Sequence, residues 1–271
     1  MTRKCVFVSA LFDIGRADVD SRSIEDYLGW IRKTSNLIPE LIIYHDGILD
    51  PFENEFLHLR KIDRNSLHFF NVEDDLKNLL TNFVPDASND ITFRLPAYSL
   101  VQFSKFELLQ KAVSEFGAES AFWVDAGISR FVDKFSIQNS DLHVQRFISQ
   151  NYFSVFEIDL KRNFSAFKFK IRNPKVGSCR RVISGTSFWL EANMVNVFLS
   201  QMKQITNKWL IEQIWDNEQM ALRKIFLESK LQTNTYFISQ GKQQTGSVFR
   251  FFGGQSKQNI LLSKLIGRGL T

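Results

Sequence analysis

The sequence predicts an α/β fold, a mainly parallel sheet with helices on its faces. Three observations carry this. Three apolar runs of strand-forming residues, Val6-Phe7-Val8-Ser9-Ala10-Leu11, Leu41-Ile42-Ile43-Tyr44 and Ala121-Phe122-Trp123-Val124, each lead within a few residues to an acid and a glycine. Such runs read as strands buried on both faces. Between them lie segments whose apolar residues recur three and four apart, the helical period. Strand and helix alternate through short links, the pattern of a parallel sheet covered by helices.

The elements follow in order. The first strand runs into Phe12-Asp13-Ile14-Gly15-Arg16. A strand, a glycine turn and a helix make a place where a nucleotide sits in α/β folds; the same residues also read as a plain tight turn. No G-x-G-x-x-G and no P-loop is present. Ser23-Ile24-Glu25-Asp26 has the form of a capping box, with Ile24, Leu28 and Ile31 on the helix's apolar face. The second strand closes at Asp46-Gly47, a helix is predicted over Phe52 to Leu59, and Leu67 to Val72 reads as a third strand. Pro96 opens a long helix with Phe106, Leu109, Val113 and Phe116 on one face, ended by Gly117. Lys105 borders that stripe; it is either solvated or turned to a phosphate. Asp125-Ala126-Gly127 follows the central strand, at the end where α/β proteins bind ligands.

Further on, Leu142 to Ser149 reads as a helix and Tyr152 to Phe156 as a strand. Arg181 to Trp189 forms a strand and a small-residue turn. There Gly185 and Trp189 suit a sugar, or mark a strand edge beside a core tryptophan. Helices are predicted from Glu191 to Lys208, with Met194, Val197, Phe198 and Met202 on one face, and from Ile211 to Leu227. Asp216 and Glu218 lie near the start of the second, as exposed polar residues or as site residues. A last strand spans Thr235 to Ile238.

Composition narrows the classes. The chain has 271 residues, 44% hydrophobic and 23% charged, and no Pro- or Gly/Ser-rich linker. It is read as one domain, residues 1–271. Cys5 and Cys179 are too few for a disulfide framework, and the four histidines lack ligand spacing. A reduced, cytoplasmic setting is expected, and no membrane span or signal peptide is read. Net charge is +5. The excess is local: Lys161 to Arg181 carries eight Lys/Arg and Lys242 to Thr271 five, neither with an acid. Such stretches meet phosphate, nucleic acid or an anionic surface, or are simply solvated. No zinc-finger, RNP or helix-turn-helix pattern is present, and no nucleic-acid partner is expected.

The stretches Phe12-Asp13-Ile14-Gly15-Arg16, Pro96 to Phe106 and Trp123-Val124-Asp125-Ala126-Gly127-Ile128-Ser129-Arg130 resemble the bacterial HtrL/YibB family. The resemblance implies a GT-A-like glycosyltransferase of lipopolysaccharide or polysaccharide loci, with a nucleotide-binding half over 1–130 and an acceptor half over 131–271. Its donor would be a nucleotide-sugar, UDP-galactose being the first choice, and its acceptor a lipid-linked glycan at the inner membrane. It places Asp13, Gly15, Arg16, Lys105, Asp125, Gly127 and Arg130 by the donor. Asp125 takes the position of an Asp-x-Asp acid that binds Mn²⁺ or Mg²⁺. Asp125-Ala126-Gly127 supplies one acid rather than two. One carboxylate can hold the ion with the diphosphate, or Arg130 or Arg250 neutralises the leaving group instead. Asp18-Val19-Asp20 matches Asp-x-Asp in letters but follows the wrong strand. Asp216 and Glu218 are the candidate general bases. The basic tail with Ile260-Leu261-Leu262 suits peripheral membrane contact. The alternative is a catalytically inactive binding or assembly protein of the same fold.

Overall fold

The computed structural model describes residues 4–36, 38, 40–50, 57–83, 91–131, 153–159, 181–183, 185–228 and 234–238. The predicted helix over Leu142 to Ser149, most of the basic stretch from Lys161 and the tail with Arg250 lie outside them.

Among the described residues eight strands form one sheet. They are β1 (Cys5–Leu11), β2 (Leu41–His45), β3 (Leu57–Lys61), β4 (Ser120–Val124), β5 (Phe153–Asp159), β6 (Arg181–Ile183), β7 (Ser187–Glu191) and β8 (Asn234–Ile238). The order is β3-β2-β1-β4-β7-β5-β6, and β8 also pairs with β5, in parallel. The first four strands are parallel, with Val8 opposite both Ile42 and Trp123. β7 then runs antiparallel to β4, pairing Ser187 with Val124. This is the expected mixed α/β architecture, parallel through its centre.

Side chains alternate between the two faces of a strand, and the core divides accordingly. Val8, Ala121, Trp123 and Phe188 pack on one face with Leu100, Phe103 and Phe106 of α5 (Pro96–Phe116). Phe122, Val124 and Trp189 pack on the other with Tyr27 and Ile31 of α2 (Ile24–Ser35). Ser23 and Asp26 bond reciprocally at the start of α2, so the capping box is present. α5 begins at Pro96 and ends at Gly117 in the left-handed region, φ 57°. The remaining helices are α1 (Ala17–Asp20), α3 (Glu73–Phe83), α4 (Ile91–Arg94), α6 (Ala192–Ile211) and α7 (Glu218–Glu228).

Four expectations are corrected. His68–Val72 is a 3₁₀ helix rather than a strand. Its apolar residues still bury, but the Phe70 amide bonds locally to Leu67, and a short apolar run does not distinguish the two. Leu57–Lys61 is a strand, not the end of a helix, while residues 51–56 lie outside the described set. The helix predicted from Ile211 starts only at Glu218. There Asn217 Oδ1 accepts the Met220 amide at 3.1 Å, the bond of an N-cap. Ile211 instead ends α6 at 83% exposure, and Val197 is likewise exposed rather than in the stripe. Among the described residues no helix is long and apolar enough to cross a membrane.

Candidate functional site

In this strand order β1 lies between β2 and β4, and the chain leaves β1 to one side and returns on the other. The crevice beyond the carboxyl ends of β1 and β4 is therefore a switch point, where open α/β sheets take ligands. A cavity of about 480 Å³ opens there, lined by both following turns and by α2 and α5.

The turn after β1 is held by its own polar groups. Asp13 Oδ1 accepts the Gly15 amide at 3.1 Å, and the Asp13 amide donates to Asp46 Oδ2, after β2, at 3.2 Å. Arg64 donates to the Asp13 carbonyl, so the turn is tied to the segment after β3 as well. Gly15 sits at φ 69°, which favours glycine. Arg16 pairs with Asp20 at 2.8 Å, and its guanidinium lies 4.7 Å from the Tyr98 ring centroid and 5.8 Å from that of Tyr27. Asp20, half of the literal Asp-x-Asp, is thus committed to Arg16. Burial pushes the Tyr98 phenol far above its ordinary range, so it stays neutral.

The opposite wall comes from α5. Tyr98, Val101, Gln102 and Lys105, at the i, i+3, i+4 and i+7 spacing of one helix face, all line the cavity. Lys105 is 1% exposed, not solvated. Its Nζ donates to the Gly185 carbonyl at 2.6 Å and pairs with Asp125 Oδ1 at 3.1 Å and Glu218 Oε1 at 3.3 Å. Burial acts to lower its pKa, but the two carboxylates override this and hold it above the ordinary lysine value. Burial raises Glu218, with Asp125 adding to the effect and Lys105 opposing it. Asp125 also accepts the Trp123 indole N–H on Oδ1 at 2.8 Å.

Asp13, Gly15, Arg16, Lys105, Asp125 and Gly127 therefore meet around one cavity. Other predicted residues do not join them. Trp189 is fully buried in the core under α2, opposite Phe122 in mid-strand, and is absent from the cavity lining. Its ring is closed to a sugar because the period-two alternation turns it into the core. Gly185 contacts Lys105 and Glu218 rather than the cavity. Asp216 and Glu218 are 0% and 4% exposed, and neither lines the cavity. Glu218 contacts the site through Lys105. Arg130 falls in the 3₁₀ turn Ile128–Phe131, with its side chain outside the described set, as Arg250 is entirely. Tyr27 and Tyr98 were missed from the sequence; the stripe Tyr98, Val101, Gln102, Lys105 was the signal.

A divalent ion at Asp125 fits poorly with these residues. Asp125 Oδ1 already takes an ammonium and an indole N–H. Among the described residues no group of three His, Cys, Asp or Glu is placed to hold a metal.

No protein-family model matches the chain, and no curated protein matches it. Among solved structures it is similar to 4-diphosphocytidyl-2C-methyl-D-erythritol synthase from Anaerococcus prevotii DSM 20548, at TM-score 0.40 and 9% identity over 99% of this chain and 100% of that one. A second structure of a synthase of that name gives 0.40 and 10%, over 98% and 99%. CMP:2-keto-3-deoxy-manno-octonic acid synthetase, complexed with CTP, gives 0.41 and 9%, over 97% and 99%. At that distance the chemistry rests on the site itself.

Proposed function

We propose that the protein is a GT-A-like glycosyltransferase of the HtrL/YibB family. It transfers a hexose, with galactose the first candidate, from a UDP-linked donor to a bacterial surface glycan of the lipopolysaccharide or capsule type. One observation carries the nucleotide part: the turns after β1 and β4 meet at a single cavity at the sheet's switch point. Its volume of about 480 Å³ is that of a small-ligand site. Tyr27, Tyr98 and Arg16 offer flat faces to a base, and the turn Asp13 to Arg16 lines the same cavity. The hexose and acceptor parts rest on the family resemblance.

A leaving diphosphate needs positive charge. The charged lining comprises Arg16, Arg22 and Lys105 against Asp13, Asp18, Glu25 and Asp125, so it is close to balance. In this reading the remaining cations come from Lys161 to Arg181 and from Arg250, and the Ile260 to Ile266 tail touches the inner membrane. Glu218 acts as a positioning residue, holding Lys105 against Asp125. Because Asp216 and Glu218 both lie off the cavity, a second reading has specific support: a binding protein that keeps the donor site without transfer.

Calorimetric titration with UDP, UDP-galactose and CTP, with and without Mn²⁺, followed by a transfer assay on membrane glycan, tests this. UDP binding with transfer supports the enzyme. UDP binding without turnover on any acceptor favours the binding protein. Tight CTP binding with pyrophosphate release points to nucleotidyl transfer instead, and no nucleotide binding sinks the donor site.

A further inference from the structure

We infer that the Lys105 ammonium is a built-in cation of the donor cavity, occupying the place where a divalent ion would otherwise bind Asp125. Three oxygens from separate elements converge on Nζ. Asp125 Oδ1 comes from the end of β4 at 3.1 Å, Glu218 Oε1 from the first residue of α7 at 3.3 Å, and the Gly185 carbonyl from the turn before β7 at 2.6 Å. An ammonium has three N–H donors and no acceptor, so three acceptors satisfy it. Two carboxylates and a carbonyl are also the hard oxygen set that Mg²⁺ or Mn²⁺ takes. The chain has therefore assembled a cation site and filled it with its own lysine.

The filling is structural. Lys105 is 1% exposed, and the Trp123 ring centroid lies 5.5 Å from its Nζ. Gly185 has no Cβ because one there would stand 1.9 Å from Glu218 Oε1. A divalent ion needs ligand distances of about 2.0–2.1 Å for Mg²⁺, and an ammonium at the centre of these three oxygens keeps an ion from taking them together. The donor cavity then binds its nucleotide without a metal at Asp125. Only that last step rests on the donor-site reading; the cation site stands on the three contacts.

The test titrates Mn²⁺, by electron paramagnetic resonance, into wild type, Lys105→Met and the Lys105→Met/Glu218→Gln pair. Thermal melts and UDP titrations run in parallel. Wild type is expected to take up no stoichiometric Mn²⁺ and to bind UDP within about twofold in Mn²⁺ or EDTA. Lys105→Met frees two carboxylates and should bind one Mn²⁺ on the order of tenfold tighter than wild type, with its melting midpoint rising as the ion is added. The pair should lose that gain. Stoichiometric Mn²⁺ in wild type that Asp125→Asn abolishes overturns the inference, as does a soluble Lys105→Met that gains no Mn²⁺. If Lys105→Met does not fold, the wild-type titration decides alone. Absence of UDP binding in every condition counts against the donor site and leaves the Mn²⁺ result to judge the cation site.

Discussion

Gly185→Ala tests the convergence around Lys105 most sharply. The added methyl would lie 1.9 Å from Glu218 Oε1 and 2.9 Å from its carboxyl carbon. Ordinary carbon contacts begin near about 3.5 Å, so the carboxylate must retreat by more than about 1 Å. The contact with Lys105, now 3.3 Å, then opens, while Lys105 keeps Asp125. Glu218 is left buried without its cation. Breaking a buried pair costs about 3–5 kcal/mol, and the surviving Asp125 contact puts the expectation near the low end, about 3 kcal/mol. For a chain of this size that lowers the melting midpoint by on the order of 10 °C. Urea and thermal unfolding of wild type, Gly185→Ala, Glu218→Ala and the double variant read it as a cycle. In the Glu218→Ala background the space is empty, so the methyl should cost less than about 1 kcal/mol and the coupling exceed about 2 kcal/mol. An equal cost in both backgrounds would refute the reasoning.

Three further outcomes are expected. Trp189→Phe should lower stability by about 1–2 kcal/mol through lost core packing while leaving UDP affinity within about twofold; a tenfold loss of affinity would return Trp189 to the site. Arg16→Ala removes the guanidinium between Tyr27 and Tyr98 and should weaken UDP binding on the order of tenfold, read from Trp123 fluorescence. Burial holds the His45 imidazole below its ordinary pKa of 6.5, with Asp50 and Asp46 opposing the shift. The folded state thus binds fewer protons than the unfolded chain just below that pH. The stability involved is present above 6.5 and is lost as pH falls toward the folded value. His45→Asn keeps an acceptor for the Gly47 amide, which now bonds Nδ1 at 3.1 Å. Its unfolding free energy should therefore vary less with pH below 6.5; an unchanged slope would remove His45 as the cause.

What the sequence made legible were features settled within a few residues. β1, β2 and β4 read as strands because burial on both faces makes each a continuous apolar run. α5 read as a helix because Pro96 and Gly117 mark its ends in the letters themselves. Asp13, Gly15, Asp125 and Gly127 were found because each follows such a run. Lys105 was singled out, but its burial was not legible because it is a pairwise property: two of the partners that make it tolerable stand 80 and 113 residues away. Trp189 was misplaced because an aromatic beside a small-residue turn looks accessible, whereas the face a strand residue takes depends on the register of β7 against β4. The start of α7 was missed because Asn217 is an ordinary polar residue until its side chain caps Met220.

The same contrast bears on the missing second acid. An Asp-x-Asp search looks for two carboxylates two residues apart, and after β4 it finds one. The fold nevertheless gives Asp125 a carboxylate neighbour, since Glu218 meets the same ammonium from α7. Two carboxylates and one ammonium leave an excess negative charge when all are ionised. Desolvation acts against it most strongly at Glu218, whose pKa is raised, whereas Asp125 is partly open to the cavity. The cluster thus presents an aspartate already paired with an ammonium rather than a bare anion waiting for a metal. In the donor-site reading an arriving diphosphate meets a nearly balanced cavity, and the attraction it needs has to come from the acid-free basic segments.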